Sequence, residues 1–311
     1  MQTITFGKIR KPRPRVHWAR YKRISGLLLI APWLIGLVVF KLVPILASLG
    51  LSFTNFHLLP FEPNRFVGLS NYTSYLTDHT AWAAFWLTVK LALVIIPLQT
   101  AGSVFVAALL SSSRLRMRNL LRVLFFLPSI IPSAAATYMW QGFTNPRGGW
   151  LNVLILNPLG ISRFIHLSSR GPNSSLFILS SLWTIGPGIL ILMGAMQGVP
   201  PEVQEAARVD GAGRLRSFFS ITLPMVTPAI FFTLVLNLTA VFGGAILLDR
   251  GRSFNSNLSS FDQYVYRVLF SLFHVGAASS LAWLFFIFVM ILVILLFATA
   301  KYWVYFPDRE E

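Results

Sequence analysis

Apolar and polar stretches alternate along this chain with a spacing typical of membrane helices. A helix needs about 20 mostly apolar residues to cross the hydrocarbon core of a bilayer. The stretches that satisfy this length lie near residues 25–50, 86–110, 121–144, 175–197, 222–248 and 278–303. The pattern therefore predicts an all-α, polytopic integral membrane protein with six transmembrane helices.

Charged residues are nearly absent from these stretches. Segments 171–201, 217–248 and 268–300 contain no Lys, Arg, Asp or Glu, whereas the first span carries Lys41 and the second carries Lys90. A charge within a membrane helix is a functional candidate by default. The alternative for Lys41 is that its long side chain snorkels to the outer headgroups.

Composition excludes an ordinary soluble domain, because 55% of the 311 residues are hydrophobic and only 12% are charged. The net charge of +16 does not indicate nucleic-acid binding, since eight basic residues lie within segment 1–23, directly before the first apolar run. That placement is typical of a cytoplasmic flank facing an anionic leaflet.

The chain has no cysteine, and its five histidines are scattered. We therefore predict no catalytic site, no metal site and no cofactor in this chain.

The distribution of basic residues predicts the orientation. If the N-terminus is cytoplasmic, 17 of the 26 basic residues lie on the inner side and seven lie in the outer loops. This bias places both termini in the cytoplasm, together with the polar loop 200–222. The first apolar run has no clear cleavage site, so we interpret it as an uncleaved helix rather than a signal peptide.

Loop 200–222 carries the most specific pattern in the sequence. It reads E-A-A, three residues, G, nine residues and I-x-L-P, with fixed positions Glu205, Ala206, Ala207, Gly211, Ile221, Leu223 and Pro224. Pro201 suits the first turn of a helix. Asp210 and Gly211 form a turn signal, and Gly211 is free to adopt a positive φ. A second short helix is predicted from Arg214 to Ser220.

This pattern resembles the EAA coupling loop of permease subunits in ATP-binding-cassette (ABC) importers. The resemblance implies that Glu205, Ala206, Ala207, Asp210 and Gly211 dock on an ATPase subunit. Ile221, Leu223 and Pro224 would anchor the loop to the fifth span. ATP and Mg²⁺ would be bound by that partner, because this chain has no G-x-x-x-x-G-K-[ST] loop. The implied partners are a second permease, an ABC ATPase dimer, an extracytoplasmic solute-binding protein and the lipid bilayer of a bacterial or archaeal cell membrane.

Further motifs are similar to those of carbohydrate-importer permeases, in particular the first permease of maltose and glycerol-3-phosphate systems. They lie at 51–56, 66–72, 124–128, 145–152 and 276–283. The resemblance implies a first helix and outer loop at 24–83, a type I ABC transmembrane domain at 84–303 and a cytoplasmic tail at 304–311. Residues 248–253 depart from the T-G-G-P-like turn of the family. In this outer region the resemblance therefore says least about the substrate.

Several polar and aromatic residues are candidates for a carbohydrate path, because sugars are held by aromatic faces and hydrogen bonds. Besides Lys41 they are Gln99, Trp140, Trp183 and Asn237. The alternative for each is a structural role in helix packing.

Other cargoes remain open, namely a phosphate ester, an amino acid or a peptide. A membrane-embedded enzyme would need converging His, Asp or Glu residues that the spans lack, and a passive channel would not need a coupling loop.

The orientation generates a direct test, because single cysteines can be introduced without background labelling. We expect that an Asp210→Cys variant in intact cells does not react with a membrane-impermeant thiol reagent. An Asn64→Cys variant in the predicted outer loop should react and serves as the control. Labelling of position 210 from outside would overturn the predicted topology.

Overall fold

The computed structural model describes residues 28–59, 63–112, 115, 117–143, 148–160, 182–242 and 260–305. Within these ranges the chain is helical, with two isolated β-bridges. Three helices are long and apolar enough to cross a membrane: α1 (Leu28–Ser52), α3 (His79–Ser111) and α11 (Val275–Trp303). Between α1 and α3 lies the short helix α2 (Ser70–Leu76). These helices confirm the first, second and sixth predicted spans.

The third predicted span is not one helix. It consists of α4 (Arg118–Phe126), a 3₁₀ turn at Leu127–Ile130 and α5 (Ser133–Phe143). Pro128 and Pro132 flank the break, and a proline in a helix interior removes a backbone donor and crowds the preceding turn. The Ser129 hydroxyl donates to the Phe126 carbonyl at 2.7 Å and so satisfies one group near the break. The span predicted near 121–144 is therefore interrupted by non-α-helical turns.

The fourth predicted span is represented by α6 (Gly186–Gln197), a helix of 12 residues. Its length of roughly 18 Å is less than the thickness of the hydrocarbon core. Residues 175–181, which the prediction also placed in this span, lie outside the described residues. Pro187 lies in the first turn of α6, where the missing N–H leaves no intrahelical bond unmade.

The fifth span follows a short helix, α7 (Pro201–Val209), and is bent. Helix α8 (Arg214–Met225) meets α9 (Thr227–Phe242) at an angle of 66°. The sequence predicted a short helix ending at Ser220 and a separate span from 222, whereas α8 continues to Met225 through a π-helical turn at Phe218–Thr222. The boundary at Ser220 is therefore wrong. Residues 243–248 lie outside the described residues.

Two of the buried clusters hold the ends of the bundle. The Val226 cluster joins the ends of α3 and α6 to the α8–α9 bend, and its buried members are Ala107, Leu110, Ile189, Leu192, Met193, Met196, Val199 and Val226. The Phe261 cluster lies at the other end of α3. It joins α3 to α10 (Phe261–Phe270) and to the start of α11. Burial of apolar side chains from several helices fixes the relative positions of those helices.

Hydrogen bonds reinforce the end of the bundle that carries the Phe261 cluster. Tyr264 donates to the Asp78 carboxylate at 2.6 Å, and that carboxylate also accepts from the Thr80 N–H at 2.7 Å as the N-cap of α3. Burial pushes the pKa of Asp78 upward, but these hydrogen bonds outweigh burial and leave the pKa below its usual value. Asn71 donates to the carbonyls of Ser52 and Thr54, both at 2.8 Å, and so ties α2 to the end of α1.

Helix α6 approaches the broken third span closely at Gly186. A Cβ at this position would lie 2.5 Å from the Phe125 carbonyl oxygen and 3.0 Å from the Phe126 Cα. Both are backbone atoms, which cannot move aside as a flexible side chain does. At Gly194 in the same helix, a Cβ would meet nothing within 4 Å.

These two glycines make a matched pair of variants. We expect Gly186→Ala to lower the free energy of unfolding by about 1–3 kcal/mol through overpacking. Gly194→Ala should leave it unchanged or raise it by up to about 1 kcal/mol through better helix propensity. Thermal unfolding in detergent measures both. Equal melting temperatures for the two variants would contradict the close contact between α6 and the third span.

Candidate coupling loop and membrane cavity

Helix α7 opens the loop predicted from the EAA pattern. Pro200 has extended backbone angles and Pro201 lies in the first turn of the helix, which begins four residues after Gln197, the last residue of α6. Glu202 lies in the first turn and Arg208 in the last turn of α7. Each side chain thus carries a charge opposite to the partial charge of the nearer helix end, which stabilises the helix.

The turn after α7 depends on Gly211, which has a φ of +77°. The Gly211 N–H donates to the Arg208 carbonyl at 3.0 Å, and the Ala212 N–H donates to the Ala207 carbonyl at 2.9 Å. Together these two bonds form a Schellman motif, which requires a left-handed residue at this position. The predicted positive φ is confirmed.

The residues that the resemblance assigns to docking do not all face outward. Glu205, Ala206 and Asp210 are exposed, whereas Ala207 is only 7% exposed. The resemblance implied that both alanines dock on an ATPase subunit, which requires both to be exposed. In the structure only Ala206 is exposed, and Ala207 is buried within the chain itself.

The I-x-L-P end of the pattern lies just before the bend between α8 and α9. Ile221 and Leu223 are half-buried, and Leu223 packs on the Val226 cluster, while Pro224 is exposed. Val226 is 1% exposed and lies between α8 and α9. Loop 200–222 is therefore continuous with the core formed by the ends of α3 and α6.

Thr227 connects this bend to the end of α11. Its hydroxyl donates to the Pro224 carbonyl at 2.6 Å and accepts from the Tyr305 N–H at 2.8 Å. Phe231 on α9 also contacts the ring of Trp303 on α11, with ring centroids 5.9 Å apart. Sequence reasoning missed Thr227, because its partner lies 78 positions away along the chain.

A second feature is an aromatic cavity of about 860 Å³ beside α5. Trp140 and Trp183, two of the predicted path residues, lie on its wall with ring centroids 5.2 Å apart and planes at 85°. The described lining residues carry no charge, and they are Tyr138, Met139, Trp140, Gly142, Phe143, Gly148, Trp150, Leu182 and Trp183. A cavity of this size and character suits a small organic ligand.

The other predicted path residues lie elsewhere. Gln99 is 3% exposed within α3, and Asn237 on α9 donates to the Thr100 hydroxyl at 3.1 Å. Lys41 is exposed in a π-helical segment of α1, Val38–Leu42. None of these three residues lines the cavity. Asn237 thus makes the kind of interhelical hydrogen bond that stabilises helix packing in membranes.

Sequence reasoning missed three further aromatic residues of the cavity wall, Tyr138, Phe143 and Trp150. The signal was present as a high density of aromatic residues between 138 and 150. In the part of the chain that the structure describes, no group of three His, Cys, Asp or Glu side chains is placed to hold a metal ion.

Comparison with known proteins gives the family. Residues 99–305 match the family described as "Binding-protein-dependent transport system inner membrane component", and this range includes both the coupling loop and the cavity. The chain therefore belongs to this family of ABC importer permeases, whose members are transport components rather than enzymes.

Individual relatives cover most of the chain. The probable ABC transporter permease protein YesP of Bacillus subtilis (strain 168) is 34% identical over 301 residues, which are 94% of this chain and 95% of the relative. The sn-glycerol-3-phosphate transport system permease protein UgpA of Escherichia coli O157:H7 is 33% identical over 233 residues, which are 75% and 76% of the two chains.

A solved structure has the same fold. It is a chain of the bacterial alginate ABC transporter in complex with an alginate pentasaccharide-bound periplasmic protein, with a TM-score of 0.78 and 18% identity. The match covers 91% of this chain and 96% of that chain. The predicted fold class, the transmembrane domain of an ABC importer, is confirmed.

Proposed function

We propose that this chain forms half of the translocation pathway of an ATP-driven carbohydrate importer and couples to its ATPase through loop 200–222. The supporting observation is the structure of the loop around Gly211. A Schellman turn presents Glu205, Ala206 and Asp210 to solvent, and the same loop is continuous with the Val226 cluster. A projecting surface with a fixed base is what a mechanical coupling element requires.

Transmission follows from the packing at the base of the loop. A force on α7 or α8 reaches the bend at Val226, which packs directly against the ends of α3 and α6. The hydrogen bonds of Thr227 carry the same displacement to the end of α11. Because packed cores respond by moving as units rather than by deforming continuously, the loop would move several helices together.

The remaining partners and the orientation belong to the same proposal. Both termini and the loop face the cytoplasm, where the ATPase dimer binds ATP and Mg²⁺. A second permease completes the pathway, and an extracytoplasmic solute-binding protein delivers the cargo. Residues 84–303 form the transmembrane domain common to the family, preceded by an additional helix and outer loop at 24–83.

The carbohydrate cargo is supported by the aromatic cavity. The CH-rich face of a sugar ring packs well on an aromatic face, and Trp140 and Trp183 offer two such faces at right angles. The alginate transporter, whose chain has the same fold, takes a saccharide. A phosphate ester is the second candidate, because the relative UgpA belongs to a glycerol-3-phosphate system.

The coupling role is tested at Gly211. A Gly211→Val variant places a Cβ on a residue with φ of +77°, which costs roughly 1 kcal/mol or more. We expect normal insertion but reduced transport, together with reduced ATPase binding or reduced stimulation of ATP hydrolysis by the loaded binding protein. A charge reversal, Glu205→Lys, should have the same effect.

Gly213 provides the matched control, because it lies two residues away with a φ of −66° and a Cβ there would meet nothing within 4 Å. Gly213→Val should therefore retain most of the transport activity. Normal uptake by the Gly211→Val and Glu205→Lys variants, at normal expression, would show that the loop does not couple to the ATPase.

The cargo is tested at the cavity wall. We expect Trp140→Ala and Trp183→Ala to lower sugar uptake several-fold while leaving basal ATP hydrolysis by the assembled transporter unchanged. The corresponding Trp→Phe variants keep an aromatic face and should retain much of the uptake. If all four variants transport sugar at the normal rate, the cavity is not part of the pathway.

A further inference from the structure

Two arginines lie one helical turn apart at the start of α4. Arg118 is exposed in the first turn, and Arg122 is half-buried in the next turn. Residues four apart lie on the same side of a helix, so the two guanidinium groups can reach one ligand together. They belong neither to loop 200–222 nor to the described lining of the aromatic cavity.

The chain supplies little negative charge to balance this pair. Between Asp78 and Glu202 the sequence contains no Asp or Glu. The first turn of α4 has no acidic residue and no side-chain cap, so the helix end adds its positive partial charge to that of the arginines. Like charges at this separation repel each other unless an anion lies between them.

Arg122 also lacks a hydrogen-bond acceptor. Its Nε is buried and has no partner within the described part of the chain. Its Nη1 donates to the Asn119 Oδ1 at 3.4 Å, which is a long contact to a neutral amide. A buried charged group without an acceptor costs free energy. We therefore expect the missing acceptor to come from another molecule.

The position of the pair indicates the kind of molecule. Leu121, beside Arg122 in α4, packs on the Val226 cluster, which also contains Ala107 and Leu110 near the end of α3. Because α3 is long enough to cross the membrane, this end of the bundle lies near a layer of lipid headgroups. The arginines thus adjoin the seam between α4 and the Val226 cluster. Basic pockets between membrane helices bind anionic lipid headgroups.

The surface of α4 is open to lipid. Leu120, Val123 and Leu124 are 49%, 60% and 52% exposed. These side chains lie on a different side of the helix from the arginines, so acyl chains can surround α4 while a headgroup lies at its start. A phosphate group suits the arginine pair, because the planar guanidinium fork binds two phosphate oxygens at once.

We propose that Arg118 and Arg122 bind the phosphate of an anionic phospholipid headgroup at the seam between α4 and the Val226 cluster. The phosphate supplies the acceptor that the Arg122 guanidinium group lacks. The bound lipid then fastens the first half of the broken third span to the rest of the bundle. This site goes beyond the proposed function, because it requires neither a particular cargo nor coupling to an ATPase.

Native mass spectrometry of the full-length chain in detergent measures lipid binding directly. We expect phosphatidylglycerol to bind more tightly than phosphatidylcholine. Arg118→Gln combined with Arg122→Gln should weaken phosphatidylglycerol binding about tenfold, which corresponds to roughly 1.4 kcal/mol, and each single variant should weaken it less. Binding of phosphatidylcholine should not change. Arg122→Lys keeps the charge but loses the planar fork, so its affinity should lie between those of the wild type and Arg122→Gln.

Lys301→Gln is the matched control for the single variants, because it also removes one exposed cation, from the last turn of α11. This variant should bind phosphatidylglycerol normally. Melting temperatures without added lipid check that each variant is folded. Phosphatidylglycerol should then raise the melting temperature of the wild type by more than that of the double variant.

Three results would overturn the site. One is equal phosphatidylglycerol affinity in the wild type, the double variant and Lys301→Gln. Another is displacement of phosphatidylglycerol by inorganic phosphate at a similar concentration, which would show that the site takes free phosphate rather than a lipid. The third is loss of the second permease from the purified double variant with unchanged lipid binding, which would assign the arginines to a protein contact.

Discussion

The packing of Val226 is the interaction on which the rest of the molecule depends. This residue lies at the 66° bend between α8 and α9, and its side chain is almost completely buried against α3 and α6. Leu223, just before the bend, packs on the same cluster. Loop 200–222 is therefore joined to the buried ends of α3 and α6 by side-chain contacts as well as by the chain itself.

Different contacts hold the two ends of the bundle, and a further buried cluster joins the middle of α3 to α9 and α11. At one end the Val226 cluster and the Thr227 hydroxyl hold α3, α6, α8, α9 and α11 together. At the other, the Phe261 cluster and the Tyr264–Asp78 hydrogen bond hold α3, α10 and α11. The third span is instead broken at Leu127–Ile130, and the aromatic cavity lies against its second half, α5. Helices that are interrupted in this way are common where membrane transporters bind their cargo.

Proline shows why part of this fold was predictable and part was not. Apolar run length identifies α1, α3 and α11, because lipid demands about 20 apolar residues whatever the neighbours are. Pro97 lies inside the unbroken 33-residue helix α3, whereas Pro128 and Pro132 coincide with a break. Proline is thus found both inside an intact helix and at a break. Whether a proline interrupts the helix depends on neighbouring groups, such as the Ser129 hydroxyl and the Gly186 backbone, that only the folded chain brings together.

The candidate site shows the same division. The turn at Gly211 was predictable, since its left-handed backbone depends on adjacent residues alone. Three other features could not be predicted, because each requires the tertiary arrangement. They are the inward position of Ala207, the Thr227–Tyr305 hydrogen bond, and the convergence of Tyr138, Trp150 and Trp183 on one cavity. Asn237 illustrates the limit, since a polar residue within a span fits a pathway and a helix contact equally well until its partner is known.

The most direct test of this account is a pair of spin-label distances in the assembled transporter, with and without ATP. One pair places labels at the exposed positions Glu202 and Tyr302, on the loop and on the end of α11. The other pairs Glu202 with Leu58 at the opposite end of the bundle. We expect the first distance to stay constant and the second to change when ATP binds, because the loop and the adjoining helix ends move as one body. A change in the first distance as large as that in the second would show that the loop moves independently of the membrane helices.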